Sequence, residues 1–184
     1  METRLLLLDI NGILCCKKTK NFISKDMLEL KSYKVQTRPG CSEFLDFCYN
    51  NFSVGFFSST TRKNAEAILS LLLTSQQRQN TILMWFRDRT HLDPDVIKDS
   101  TIFYYDTIKK LQDIFDNPVI NEKRKYHSGN TILVDDSIAK TRFNDPKNIV
   151  ICESFDGNQD DKVLYEIMEI LPERFERLQT VRTV

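Results

Sequence analysis

The sequence predicts an α/β fold built on a parallel sheet, and three observations lead to that prediction. Short apolar runs without polar alternation are typical of strands that are covered on both faces. Segments with apolar residues at helical spacing lie between these runs, which indicates strands joined by crossover helices. The length of 184 residues suits one domain, so we expect a single domain over residues 1–184.

Five apolar runs are the predicted strands of this sheet. They are Leu5–Leu8, Val54–Phe57, Ile82–Phe86, Thr131–Val134 and Ile149–Ile151. Four helical patterns accompany them: two follow Pro39-Gly40 and Thr61, and two begin at Ile108 and Val163. Because proline suits the first helical turn, Pro172 predicts a further short helical tail over about 172–184.

Two segments are too long to be simple crossovers. Residues 10–38 separate the first strand from the first helix, and the polar residues 87–106 follow the third strand. The first segment is expected to hold a strand pair near Asn21–Ile23 and Tyr33–Thr37. Inserts of this length in α/β domains usually lie near the active end of the sheet.

Charge and composition exclude several classes of protein. Lys+Arg and Asp+Glu number 26 each, which disfavours a strongly basic nucleic-acid binder, so no nucleic-acid partner is expected. The basic run at 123–125 is interpreted as a solvated loop. No apolar run reaches the ~20 residues of a membrane span, so no membrane partner is expected. Five cysteines without CxxC spacing predict reduced thiols in an intracellular protein, nuclear or cytoplasmic.

Polar clusters stand where three of the apolar strands end. Asp9-Ile10-Asn11-Gly12 follows the first strand, Ser58-Ser59-Thr60 follows the second, and Asp135-Asp136-Ser137 follows the fourth. In open parallel sheets, ligands bind beyond the carboxyl ends of the strands. We therefore expect the three clusters to converge on one site.

The residue types in these clusters suit phosphoryl transfer. The adjacent pair Asp135-Asp136 repels itself unless a cation relieves it, and ligands that are all oxygen favour Mg²⁺. Asp9 beside such an ion can attack phosphorus and form an aspartyl phosphate. Ser58 supplies a hydroxyl, and either Lys109 or Lys110 supplies a cation for the phosphoryl oxygens.

The order of these residues separates the chain from other phosphate-handling folds. Response-regulator receivers place their acidic pair near the start, whereas here the order is Asp, Ser, Lys and then Asp-Asp. Neither GxGxxG nor GxxxxGK[ST] occurs, so dinucleotide-binding and P-loop readings have no support.

Five motifs in this order resemble the haloacid dehalogenase superfamily and, within it, the FCP/SCP-type or NLI-interacting-factor-like phosphatase domain. The motifs are Leu5–Gly12, Thr37–Gly40 with Glu43-Phe44-Leu45, Phe57–Thr60, Ile108–Leu111 and Ile132–Ser137. The resemblance covers roughly residues 4–171. It implies a doubly wound parallel sheet with a small β-flap after the first strand.

The resemblance also implies roles for individual residues. Asp9 would be the nucleophile, and Ser58, Ser59 and Lys109 would bind the phosphoryl group. A Mg²⁺ ion would be held by Asp9, by the backbone carbonyl of Asn11, and by Asp135 and Asp136. The usual substrates of the family are phosphoserine and phosphothreonine in extended peptides, so a phosphorylated protein or peptide is the expected partner.

Asn11 departs from the family pattern, which has a second aspartate at that position. That aspartate is the general acid for the leaving alkoxide and then the base for water, and an amide can be neither. Two functions therefore stay open: a Mg²⁺-dependent protein phosphatase that is impaired by Asn11 or uses another acid, and a pseudophosphatase that binds phosphorylated partners or serves as a scaffold. A phosphatase of nucleic-acid ends or small molecules has little support. Asp136 also departs, since many relatives have asparagine there.

The segment Trp85-Phe86-Arg87 has two interpretations. Trp85 can pack into the core, or it can form a wall of a peptide groove. In the second case Arg87 or Arg89 would lie near a further phosphate or acidic residue of the substrate.

Overall fold

The computed structural model describes residues 3–18, 27–29, 34–97 and 107–180. Its strands are β1 Leu5–Leu8, β2 Cys15–Lys18, β3 Met27–Glu29, β4 Lys34–Thr37, β5 Ser53–Phe57, β6 Met84–Trp85, β7 His91–Leu92, β8 Thr107–Ile108, β9 Thr131–Asp135 and β10 Ile149–Ile151. Its α-helices are α1 Cys41–Asn51, α2 Arg62–Leu72, α3 Ser75–Asn80, α4 Pro94–Ile97, α5 Gln112–Phe115, α6 Ile138–Thr141 and α7 Val163–Thr180. Short 3₁₀ helices occupy Arg87–Arg89 and Pro146–Asn148.

A five-stranded parallel sheet in the order β10-β9-β1-β5-β6 is the centre of the fold. Strand β1 lies in the middle, and all four of its leucines are fully buried. Leu6 and Leu8 pack with helices α1, α2 and α7, whereas Leu5 and Leu7 pack on the opposite face with α5. Side chains of a strand alternate between the two faces, so a continuous apolar strand requires this double cover.

Two small antiparallel sheets accompany the central one. Strands β2, β4 and β3 form a flap directly after β1, and β7, inside the predicted polar insert, pairs with β8, which directly follows that insert. The predicted strand at Tyr33–Thr37 is confirmed over Lys34–Thr37. The predicted strand at Asn21–Ile23 lies outside the described residues.

The predicted third helix begins later than its apolar spacing suggested, so the assignment of Ile108 to that helix is wrong. Ile108 belongs to β8, and α5 begins at Gln112. The Lys109 backbone donates to the Lys140 carbonyl (2.8 Å), while Asn144 binds both the Lys109 carbonyl (2.7 Å) and the Leu111 amide (2.7 Å). The Lys109 carbonyl, which in a helix beginning at Ile108 would accept from the Asp113 amide, is thus bound by Asn144. The third predicted strand, Ile82–Phe86, is likewise reduced to Met84–Trp85.

The separate helical tail predicted at Pro172 is also wrong. Pro172 lies inside α7, which is continuous over Val163–Thr180. Leu171, Phe175 and Leu178 are buried on either side of the proline, so tertiary packing holds the helix through it. No helix within the described parts of the chain combines the length and apolarity needed to cross a bilayer.

Arg38 joins the flap to the loop that follows β1. Its side chain is 1% exposed and donates to the carbonyls of Gly12 (3.0 Å) and Glu153 (2.9 Å). It also forms an ion pair with Asp161 at 2.8 Å. The loop carrying residues 11–13 is therefore held by a buried, charge-assisted network.

Candidate active site

The three polar clusters predicted from the sequence converge at one edge of the sheet. Leu8 of β1 is in register with Phe56 of β5 and Val134 of β9, so the residues after these strands lie side by side. They line a cleft of about 610 Å³. Its walls include Asp9, Asn11, Ser58, Ser59 and Asp136.

Lys109 lies between the carboxylates of Asp9 and Asp135. Its Nζ is 2.9 Å from Asp9 Oδ2 and 2.5 Å from Asp135 Oδ2, and the lysine is completely buried. The neighbouring Lys110 instead places its Nζ over the ring of Phe143. Of the two lysines that the sequence left open, Lys109 is the one at the site.

Backbone amides orient the two carboxylates that contact this lysine. Ile10 N–H donates to Asp9 Oδ1 at 2.7 Å, and Ser137 N–H donates to Asp135 Oδ1 at 2.9 Å. Each carboxylate is therefore fixed by one amide and one ammonium group. Such pre-orientation suits a nucleophile or a metal ligand.

Burial and charge act in opposite directions on this pair. Burial lowers the pKa of Lys109, but the charges of Asp9 and Asp135 outweigh it, and the pKa is raised overall. Burial raises the pKa of Asp135 to about 6; Lys109 opposes this rise and Asp9 adds to it. Lys109 therefore stays charged at neutral pH, and Asp135 takes up a proton near pH 6.

The same carboxylates suit a divalent cation. One ligand oxygen from each of Asp9, Asp135 and Asp136 lies within 4.8 Å of the others. Gly12 lies against this group, since a Cβ there would overlap Asp136 Oδ2 and Ser154 Oγ. Gly12 also has a φ of +83°, which favours glycine. Donors that are all oxygen fit Mg²⁺ better than a transition metal; the carbonyl of Asn11 stays a predicted fourth ligand.

Hydroxyl groups form the β5 side of the cleft. Ser58 and Ser59 are buried, and the Ser59 Oγ accepts a hydrogen bond from Thr107 at 2.6 Å. Thr60, which the sequence analysis assigned no role, lies beside them and binds Ser58 Oγ through both its amide (3.3 Å) and its hydroxyl (3.2 Å).

Arg87 supports this hydroxyl loop from the next strand. Its Nε donates to the Ser59 carbonyl at 2.8 Å and its amide donates to the Thr60 carbonyl at 3.1 Å. Arg87 also lines the cleft. Trp85, in contrast, is 8% exposed and packs edge-on against Phe57, so the core-packing interpretation of this tryptophan is correct.

Asn11 is exposed on the cleft wall opposite Ser58 and Ser59. Its Nδ2 donates to Thr60 Oγ1 at 2.8 Å, and its Oδ1 accepts from the Cys15 thiol at 3.8 Å. The side chain therefore connects the loop after β1 to the loop after β5.

Comparison with known proteins agrees with this architecture. Residues 4–182 match the family described as NLI interacting factor-like phosphatase. The chain belongs to this phosphatase family. The resemblance drawn from the five motifs is thereby confirmed.

Relatives and solved structures place the family match in context. An uncharacterised FCP1 homology domain-containing protein of Schizosaccharomyces pombe is 29% identical over 166 residues, covering 79% of this chain and 66% of the relative. Fission yeast RNA polymerase II CTD phosphatase Fcp1, solved with beryllium fluoride, aligns with a TM-score of 0.56 at 11% identity, over 99% of this chain and 53% of that one. Another structure of Fcp1, described as an essential RNA polymerase II CTD phosphatase, gives 0.55 at 14% identity, over 97% and 50%.

These structural likenesses show the fold and nothing more specific. They confirm the predicted doubly wound haloacid dehalogenase-type architecture. The chain spans about half the length of the Fcp1 chains that it matches.

The sequence analysis assigned no role to three residues that line the cleft. Lys17 from the flap and Lys140 from α6 line it together with Thr60. Thr60 is the last residue of the second motif, and Lys140 lies one helical turn beyond the acidic motif. Their nearness to the motifs is visible in the sequence. Lysines and threonines are so common on protein surfaces, however, that this nearness alone does not indicate a role.

The cysteines of this family member are all free thiols, as expected. Burial raises the pKa of Cys15 and Cys48 well above the ordinary value, that of Cys41 to about 12 and that of Cys152 to about 11. Burial also raises the pKa of the half-exposed Cys16, the cysteine on the cleft wall. High thiol pKa values oppose nucleophilic chemistry at neutral pH.

Proposed function

We propose that the chain is a Mg²⁺-dependent phosphatase of phosphoserine and phosphothreonine proteins that forms an aspartyl phosphate on Asp9. The contact that carries this proposal is the buried ion pair of Lys109 with Asp9 and Asp135 at the floor of the cleft. This pair sets a buried cation beside the proposed nucleophile, where phosphoryl transfer needs positive charge.

The proposed first step forms one bond and breaks one bond. A carboxylate oxygen of Asp9 attacks phosphorus while the ester P–O bond breaks, and the leaving oxygen keeps the electron pair. Ser58 donates to a phosphoryl oxygen, and Lys109 keeps Asp9 aligned while its charge balances the developing negative charge. In the second step water attacks the phosphoenzyme, releases phosphate and restores Asp9.

The acidic cluster is the proposed site for Mg²⁺. Asp9, Asp135 and Asp136 would hold the ion, with the Asn11 carbonyl as the predicted further ligand. When bound, the ion supplies positive charge that offsets the carboxylates and the phosphoryl oxygens. The adjacent Asp135-Asp136 pair then carries no unrelieved repulsion.

The proposed protein substrate is supported by the named activity of Fcp1 and by the cleft itself. Fcp1 is described as an RNA polymerase II CTD phosphatase, which acts on a phosphorylated protein. The cleft is bordered by Lys17, Arg87 and Lys140, and this positive charge suits phosphorylated or acidic peptide.

A burst assay tests the proposal. The protein is mixed with an excess of an aryl phosphate and Mg²⁺, and phenol release is followed together with acid-stable labelling of the protein by [³²P]phosphate from the labelled ester. We expect a burst of phenol equal to the protein concentration and label on Asp9. Absence of both burst and label, with folded protein, contradicts the phosphatase.

Asn11 favours a second candidate, a pseudophosphatase that binds phosphoprotein without cleaving it. An amide cannot donate and recover a proton as a carboxylic acid does, and general acid–base catalysis typically contributes ~10²–10⁴-fold. The burst assay separates the two candidates when it is paired with calorimetric titration of a phosphoserine peptide. Peptide binding without burst or turnover identifies the binding module.

A further inference from the structure

We propose that Thr60 is a catalytic residue whose hydroxyl donates a hydrogen bond to the leaving oxygen of the phosphoester, and that Asn11 is the positioning residue that makes it a donor. This inference rests on the proposed phosphatase and names how that site handles its leaving group. It assigns a function to the asparagine that replaces the acid of the family pattern.

The Asn11 amide nitrogen faces Thr60, with Nδ2 at 2.8 Å from Thr60 Oγ1. The amide oxygen lies on the other side, 3.8 Å from the sulfur of the buried Cys15, whose thiol is also 3.8 Å from the Ile10 carbonyl. Since an amide NH₂ group can only donate, Thr60 Oγ1 must accept this bond.

The protons of the neighbouring hydroxyls can then be assigned. Ser58 Oγ accepts the Thr60 amide at 3.3 Å, and the Ser58 hydroxyl donates to Thr60 Oγ1 at 3.2 Å. Before substrate binds, Thr60 Oγ1 thus accepts from both Asn11 and Ser58; when the Ser58 hydroxyl turns to a phosphoryl oxygen, Thr60 Oγ1 still accepts from Asn11. Its own proton is committed to no acceptor in the described part of the chain, and Thr60 lines the same cleft as Asp9.

A hydroxyl that accepts a hydrogen bond, as Thr60 does from Asn11, is a stronger donor, because hydrogen bonds in a chain polarise one another. Thr60 lies one hydrogen bond from Asn11, the position from which the family's acid acts on the leaving oxygen. When the P–O bond breaks, the leaving oxygen keeps the electron pair, Thr60 donates to it without giving up its proton, and water supplies the proton afterwards. No proton is consumed from Thr60, so the residue returns to its starting state.

An aspartate at position 11 would reverse the direction of this chain. The carboxyl oxygen facing Thr60 would only accept, also in the acid form whose other oxygen protonates the leaving group. The Thr60 hydroxyl would therefore donate to it and would no longer be available to the substrate. The effect of Thr60 therefore depends on the identity of residue 11, and this dependence can be measured.

The kinetic test compares Thr60→Val with Thr60→Ser over aryl and alkyl phosphates whose leaving groups differ in acidity. Loss of one preorganised donor typically costs ~10²–10³ in kcat. We expect Thr60→Val to lower kcat by about 10²-fold for the least acidic leaving group and by much less for the most acidic, with KM nearly unchanged. Thr60→Ser should retain the wild-type profile. The matched control is Thr61→Val, which removes a neighbouring hydroxyl that makes no capping hydrogen bond to its helix.

A double-mutant cycle tests the part assigned to Asn11. In the Asn11→Asp background, Thr60→Val should cost less than about 5-fold, because the aspartate has already taken the Thr60 proton. An equal loss in both backgrounds would show that Asn11 does not act through Thr60. A loss independent of leaving-group acidity would show that Thr60 does not contact the leaving oxygen.

Orthovanadate binding gives a readout that needs no turnover. Vanadate can take an Asp9 carboxylate oxygen at the attacking position and present one of its own oxygens at the leaving position. Thr60→Val should therefore bind it about 10-fold more weakly, whereas Thr60→Ser and Thr61→Val should not. Equal vanadate affinity of Thr60→Val and wild type overturns the inference even if the protein is an active phosphatase. Weakened vanadate binding without any burst or turnover supports the Thr60 donor and contradicts the phosphatase, so the two failures are distinguishable. Mg²⁺ affinity should be the same in all three variants, and circular dichroism should show that each is folded.

Discussion

The floor and the wall of the cleft differ in burial and in how closely they follow the family pattern. The floor, consisting of Asp9, Lys109 and Asp135, is buried, and its charges are paired at 2.5–2.9 Å. The wall around Asn11 and Thr60 is partly exposed and is connected by neutral hydrogen bonds. Under the proposed function, the floor holds the nucleophile and its lysine, while the wall has asparagine where the family pattern has an acid. The proposal therefore expects attack on phosphorus to persist and leaving-group departure to be weakened.

The largest expected effect is on the floor. Asp9→Asn should remove all phosphoenzyme and all turnover, because an amide oxygen is too weak a nucleophile to replace the carboxylate. The measurement is ³²P labelling together with aryl phosphate turnover. Asp113→Asn, in helix α5 and outside the residues that line the cleft, is the control and should label normally. Label retained in Asp9→Asn would move the nucleophile to another residue.

The next effect is on the wall. Asn11→Asp should raise alkyl phosphate turnover by about 10²–10⁴-fold, because a carboxylic acid can protonate the leaving oxygen and then deprotonate water. Aryl phosphates should gain less, since their leaving groups need less protonation, and the wild-type phosphoenzyme should accumulate where the variant does not. Steady-state rates on both ester classes and the labelled fraction at steady state measure this.

Unchanged alkyl turnover in Asn11→Asp would contradict the assignment of residue 11 as the missing acid. A substantial wild-type rate would then point to a substitute donor, and a rate near background would point to the binding module. Mg²⁺ affinity serves as the control, because the backbone carbonyl of residue 11 is present in both proteins.

The stability of the floor should depend on its lysine. Lys109→Met leaves two buried carboxylates without their cation, and breaking a buried pair by removing one partner costs about 3–5 kcal/mol. Urea denaturation without Mg²⁺ measures this, and added Mg²⁺ should recover part of the loss. Lys110→Met is the matched control and should change the free energy of unfolding by less than about 0.5 kcal/mol. Equal stability of the two variants would show that the floor is not electrostatically coupled.

The same contrast explains what the sequence could and could not predict. Continuous apolar strands are recognisable from the sequence. Their register brings the residues after β1, β5 and β9 together, so the positions of Asp9, Ser58 and the acidic pair were predictable. Lys109 could be assigned only from the order of the family motifs, because its apolar neighbours suggested a helix. In the structure, Ile108 is in β8 and the Lys109 backbone binds Lys140 and Asn144. The role proposed for Thr60 depends on its hydrogen bond with the Asn11 amide. This contact joins two loops, and no local sequence pattern encodes it. Tertiary hydrogen bonds of this kind are where sequence reasoning ends.

The smallest effect distinguishes floor from wall by pH. Burial raises the pKa of Asp135 to about 6, so in the metal-free protein this carboxyl binds a proton between pH 6 and the ordinary aspartate range. A metal ligand must be deprotonated, so Mg²⁺ affinity should be nearly constant above pH 7 and fall by about 10-fold per unit below pH 6.

The sign for stability is opposite: a raised carboxyl pKa contributes stability at low pH that is lost as pH rises through about 6, and Mg²⁺ should restore it there. Calorimetric titration at pH 5.0, 6.0 and 7.5, with buffers of different ionisation enthalpy, measures about one proton released per ion at pH 5.0 and almost none at pH 7.5. Thr60→Val, altered in the wall alone, should show the same profile, and an affinity that does not change with pH would contradict Asp135 as a ligand.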